Sequence, residues 1–168
     1  MMMSASLATD PDAVAAALVA VLTPGGVPIG SLGAVVMRTP EAAYSGPTPI
    51  LLVRPVQTVH DWKTAGRKQE VGRLELLYRD PPLRQQQAAD AQLTQAQLED
   101  RVWTNRRAIV TQLDAHRDLD GAIVALGPYE EQYNPDGVEV TWDNGPWIGL
   151  SLLVSYMGAL QLMPHGAP

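Results

Sequence analysis

The residues able to do chemistry in this chain are few, and their spacing limits what they can do together. There are three histidines, at positions 60, 116 and 165. His60 is followed by Asp61, but adjacent residues do not make a catalytic dyad by spacing alone, because neighbouring side chains diverge. His116 falls at the end of a long helical pattern, where a cation is favoured against the helix dipole. His165 stands in the C-terminal tail. With no second histidine at ligand spacing, a histidine-based metal site is not expected. Asp118-Leu119-Asp120-Gly121 has the texture of a calcium loop, yet the frame fails: position one would be His116 and position twelve Gly127 rather than Glu. A helix-ending Asp-Gly turn is the better account. No phosphate-binding glycine motif and no G-x-S-x-G elbow occurs, and Ser45 and Ser151 have no evident base. The expectation is therefore a protein without catalytic residues, metal or cofactor.

Several charged and aromatic residues are better suited to contact than to catalysis. Glu130-Glu131 reads as a solvated loop, and Arg106-Arg107 as the wet face of an amphipathic helix. Trp62 and Lys63 stand in a polar stretch with Arg67 and Lys68. A large aromatic there either anchors an interface or folds back on the core, and the sequence leaves both open. The candidate interface residues are Trp62, Lys63, Arg67 and Lys68 on the basic side, and Glu130, Glu131 and Asp136 on the acidic side.

These residues need elements to position them. Residues 11–22 read as a helix capped by Asp10, with Pro11 at the first turn and a stripe of Val14, Leu18, Val21 and Leu22. Residues 27–37 suggest a strand interrupted by Gly30 and Gly33. The turn-rich segment 39–49 is expected to be a long loop, 50–56 a short strand, and 57–69 a second long loop. Residues 70–79 alternate, Leu74, Leu76 and Tyr78 against Arg73, Glu75 and Arg79, as a half-buried strand does. The block 83–117 carries a helical stripe at Leu98, Val102, Ile109 and Leu113, with a break near Leu93-Thr94 and a stop at Asp120-Gly121. Strands over 121–127, 137–143 and 147–158 complete a meander, with a turn at Asp143-Asn144-Gly145-Pro146. The fold class that follows is α+β: a mainly antiparallel sheet, with an N-terminal helix and a long central helix packed on one face. Residues 1–168 form one domain, with 1–9 and 160–168 expected to be flexible.

Composition narrows the function classes. The chain has 168 residues, no cysteine, no phenylalanine and a formal charge of −6. Disulfides and thiolate chemistry are excluded, and the acidic balance argues against a nucleic-acid binder or a basic membrane-surface protein. No apolar run is long enough to predict a membrane span, and the N-terminus has no basic region of the kind a secretory leader carries. The charge is also split. All 12 bases lie at or before Arg117, whereas 118–168 holds seven acids and no base. Such a chain can use opposite charges to orient neighbouring copies, or place an acidic solvent face on its last strands.

In the order of its elements the chain resembles the tail terminator and tail-completion (head–tail joining) proteins of long-tailed bacteriophages. The matching features are the short first helix (DPDAVAAALVAVL), the strand PILLVRP and the alternating strand VGRLELLYRD. The long helix LEDRVWTNRRAIVTQLDAHRDL and the final hairpin GVEVTWDNGPWIGLSLLVSYM follow. The resemblance implies a structural virion protein forming a homo-oligomeric ring, typically a hexamer. Such a ring caps the tail tube protein and presents a docking surface to the head connector in the neck. DNA would pass through the lumen without specific binding, and an acidic segment suits that passage. Another neck or minor tail role, or a small ligand-binding domain with an apolar pocket between sheet and helix, are the alternatives.

Overall fold

The computed structural model describes residues 10–37, 47, 49–80, 95–132, 139–142 and 145–162. Among these residues are two α-helices and six strands: α1 (Pro11–Leu22), β1 (Ala34–Met37), β2 (Ile50–Thr64), β3 (Arg67–Asp80), α2 (Gln95–Ala115), β4 (Ala125–Gln132), β5 (Glu139–Trp142) and β6 (Gly145–Leu162). The sheet runs in the order β1-β2-β3-β6-β4, with β5 also paired to β6. The α+β class stands. The sheet is mixed rather than purely antiparallel, because β1 lies parallel to β2 from Ala34↔Ile50 to Met37↔Val53. Parallel neighbours need a crossover of a dozen or so residues, which accounts for the length of the segment between β1 and β2.

Helix α1 forms where its signals stand. The Asp10 side chain accepts a bond from the Ala13 amide at 2.8 Å, Pro11 opens the helix, and Val14, Leu18, Val21 and Leu22 are all buried. In α2 the stripe Leu98, Val102, Ile109 and Leu113 is fully buried. Both stripes join Leu51, Val53, Leu74, Leu76, Tyr78, Leu150, Leu152, Val154 and Tyr156 in one core. These strand residues share one sheet face: Leu51↔Tyr78↔Leu150 and Val53↔Leu76↔Leu152 are cross-strand rows. Both helices therefore pack on that face, hereafter the helix face. On the outer face a second cluster, Ile50, Leu52 and Leu77, is buried with Ala34 and Val36 against it.

Four expectations are corrected. The segment 57–69 is not a loop: it is the far half of a long β2–β3 hairpin, paired from Gln57↔Arg73 to Thr64↔Arg67. It lacks a period-2 apolar pattern because much of it is exposed on both faces, so no face demands alternation; Thr58, Val59, Trp62 and Thr64 nonetheless favour strand. The strand expected over 27–37 is only Ala34–Met37, since Gly30 takes φ 59° in the turn before it. The strand expected at 121–127 begins at Ala125, after left-handed Leu119, Asp120 and Gly121 close the end of α2. Of the tail expected to be flexible from 160, residues 160–162 belong to β6, which continues to Leu162, and the rest lies outside the described residues. The tail 1–9, most of 39–49, the helix start before Gln95, the Leu93-Thr94 break and Asp143-Asn144 lie outside the described residues.

Close backbone approach fixes where β3 and β6 can pair. At Gly149 a side-chain carbon would fall on the backbone carbonyl of Tyr78, which has no freedom to move. At Gly66, in the hairpin turn, nothing lies within 4 Å. Gly149→Ala is thus expected to cost about 3 kcal/mol of unfolding free energy, at the upper end of overpacking, and Gly66→Ala almost nothing. Urea denaturation of the two variants side by side checks this.

Candidate functional site

Two polar groups and one uncovered surface stand out against this framework. The first group lies where β3 ends. Asp80, with no side-chain exposure, holds Arg101 of α2 in a two-pronged pair, Nε to Oδ2 at 2.8 Å and Nη2 to Oδ1 at 2.5 Å. The Tyr78 hydroxyl donates to Asp80 Oδ2 at 3.0 Å and accepts from Asn105 Nδ2 at 3.1 Å. Asn105 Oδ1 in turn accepts from the Ser31 amide at 2.9 Å and the Ser31 hydroxyl at 3.1 Å. Arg101 and Asn105 are four residues apart, about one helical turn, so both reach β3 from one helix face. Burial pushes the Asp80 carboxyl above its ordinary range, against the opposing pull of Arg101. Burial also raises the Tyr78 hydroxyl, and the Asp80 carboxylate adds to the effect.

The second group ties β6 to β3. The Tyr156 hydroxyl donates to Glu70 Oε1 at 2.8 Å, and the tyrosine ring lies over Gly72, where a Cβ would meet ring carbons at 2.5 Å. Gln69 Nε2 donates to the Gly158 carbonyl at 3.0 Å. Burial raises the Tyr156 hydroxyl as well, followed by its bond to Glu70. Both groups link separate elements through largely buried side chains, so they act as structural ties.

The uncovered surface is the distal end of the sheet, made of β2 from Arg54 onward, β3 up to Arg73 and β6 from Ser155. Six of the nine exposed large apolar residues among the described ones lie here: Val56, Val59, Trp62, Met157, Leu160 and Leu162. That concentration marks a contact surface rather than scattered exposure. On the outer face, Val59, Val71 and Met157 form the floor of a trough of about 500 Å³, with Arg73 and Gln57 along it and Gly127-Pro128 as a wall. The trough lies on the face opposite the helices.

The sequence candidates divide accordingly. Trp62, Lys63, Arg67 and Lys68 do come together at the hairpin tip, where Trp62 pairs across from Lys68 and is 56% exposed. Lys63 is ion-paired with Asp61. Glu130 and Glu131 sit elsewhere, on β4 rather than in a loop, and their neighbours differ. Glu131 on the helix face receives Arg106 through both oxygens, with Nη2 to Oε1 at 2.6 Å, so neither residue belongs to a simple solvated surface. Glu130 points to the outer face, in register with Leu153. Asp136, His165 and Ser45 lie outside the described residues. His116 pairs with Asp120 at 2.7 Å and thereby clasps the turn after α2. Ser151 is buried, at 3.4 Å from Glu75 Oε1. Among the described residues no group of three or more acids and histidines is gathered as a metal site would need, and no helix is long and apolar enough to cross a membrane.

Sequence reading missed Asp80, Arg101, Asn105 and Ser31 as a unit, since they come from three separate elements. No protein-family model matches the chain, and no curated protein matches it.

The polar ties generate two predictions. Arg101→Met leaves the buried Asp80 carboxylate without this partner and is expected to cost about 3 kcal/mol, as removal of one member of a buried pair does; chemical denaturation measures it. For the tyrosines the sign follows from the raised hydroxyls. The unfolded chain releases these protons first, near pH 10. Their contribution is therefore complete below that value and is lost as the pH rises above it. Circular dichroism over an alkaline titration should show unfolding that sets in above about pH 10, with a shallower fall in the Tyr78→Phe, Tyr156→Phe double variant.

Proposed function

We propose that this chain is a structural component of a bacteriophage virion, a tail terminator whose copies form a ring on the tail tube and meet the head connector in the neck. One observation carries the reading: a three-stranded arm extends past the helix-covered core and exposes Val56, Val59, Trp62, Met157, Leu160 and Leu162. A protein acting alone gains nothing from such a surface; a subunit of an assembly needs it. The order of elements that prompted the resemblance also supports it, with a short helix, a long hairpin, a long helix and a final long strand in sequence. The split of charge supports assembly of like copies, because the basic tip and the acidic last third belong to the same molecule. In a ring, the seven acids of 118–168 would give DNA a passage that repels phosphates instead of gripping them. Glu131, matched to Arg106, contributes less to that field than its formal charge suggests.

Native mass spectrometry across a concentration series, followed by negative-stain imaging, tests this reading. A closed ring of about six subunits is expected, since closed cyclic symmetry is what capping a tube requires. A chain that stays monomeric at every concentration and also fails to cap growing tail tubes overturns it.

A further inference from the structure

The two sides of the sheet end differently, and the difference has a use. Among the described residues, β2 has a neighbour on its β1 side only over Ile50–Val53, so from Arg54 to Thr64 its amides and carbonyls face outward. At the other side, β4 pairs with β6; Arg117 takes the amide and carbonyl of Leu126, and among the described residues the stretch from Tyr129 to Gln132 has no further strand beside it. An open edge is a template for another strand. Each edge also carries exposed valine: Val56 and Val59 on β2, and Val124 immediately before β4.

Charge makes the two edges complementary. Among the described residues Arg67, Lys68 and Arg73 have no carboxylate partner, and Glu130 has no cation partner. Arg73 and Arg67 lie in the outer-face rows of β3, and Glu130 in the outer-face row of β4. A sheet continued from one copy to the next keeps its faces, so these charges would meet on one side.

We propose that the open edge of β2 in one copy pairs with the open edge of β4 in a second copy, joining the two sheets, with Glu130 set against the arm's arginines. Because the two edges are different surfaces, the contact is head-to-tail, and repetition yields a ring or a filament. The proposal deepens the ring reading and rests on it for closure, not for the pairing itself.

The absence of cysteine from the chain gives a clean test. In the full-length protein, Val59→Cys is combined in turn with Val124→Cys, Glu130→Cys and Gln132→Cys, and each pair is oxidised and run on a denaturing gel. Opposed strands bring Cα atoms within disulfide range. At least one pair should give a ladder of covalent multimers, and the single variants no more than dimers. In parallel, Arg73→Glu and Glu130→Arg should each weaken self-association about tenfold, and the double reversal should restore it, with unchanged circular dichroism. If native mass spectrometry gives an oligomer while no pair forms a ladder and reversal has no effect, the edge pairing is overturned and the ring reading survives. A chain that neither associates nor cross-links overturns the edge pairing, and if it also fails to cap growing tail tubes it overturns the ring reading as well.

Discussion

The buried pair of Asp80 and Arg101 is the constraint around which the rest of this fold is arranged. A carboxylate with no solvent exposure is costly unless it is matched and hydrogen-bonded. Here the partner must come from α2, the second bond from Tyr78 on the same strand, and the next link from Asn105 one turn further along the helix. Asn105 then holds Ser31, which closes the turn leading into β1. The turn has to come very near the helix for this to work: at Gly30 a Cβ would stand 2.6 Å from Asn105 Oδ1. A hydrophobic core alone would let α2 slide along the sheet, because apolar contact has little directionality. The polar chain fixes its position and ties the N-terminal third to the centre of the sheet.

That fixed position explains why the sheet can be long. β6 spans 18 residues and β2 15, more than two helices can cover. The helix-covered half is sealed by the core, and Tyr156 marks its limit, lying over Gly72 and bonded to Glu70. Past that row the strands continue, with no helix of the described residues above them. The register shifts between Pro55 and Gln57, and again between Gln69 and Val71, close to where cover ends. Bulges strengthen local twist, so the far end can turn away from the helix-bearing half.

Legibility in the sequence followed burial. The stripes of α1 and α2 and the alternation of Leu74, Leu76 and Tyr78 were readable because one face of each is buried, and burial imposes a period. The arm's sequence reads as a loop because both of its faces carry exposed side chains, so it answers to no single core. Arg79 illustrates the opposite failure: alternation assigns it to solvent, yet it is buried, since at that end the outer face is covered too. The Asp80 group could not be found from spacing, as its members are 31, 78, 80, 101 and 105. A charged residue closing a strand of Leu-Leu-Tyr-Arg-Asp was the one available hint. For the candidate interface, Trp62, Lys63, Arg67 and Lys68 meet at the tip because they are close in sequence on either side of one turn, while pairing of Glu131 with Arg106 depends on tertiary contact between α2 and β4.

The arm also raises a question of solubility. A long strand with an open edge and exposed valine, tryptophan and leucine is a surface on which proteins aggregate unless it is managed. The charges on it are the management: Arg54 pairs with Glu75 at 2.7 Å, Lys63 pairs with Asp61, and Arg67, Lys68 and Arg73 remain uncompensated. Exposed pairs of this kind add at most about 1 kcal/mol to stability, so stability does not account for them. Their effect is on which surface can approach. A second arm, equally basic, is repelled from face-to-face pairing, whereas the acidic β4 edge is admitted. Excess positive charge on an apolar edge therefore disfavours symmetric dimers and favours head-to-tail contact, the arrangement from which rings are built.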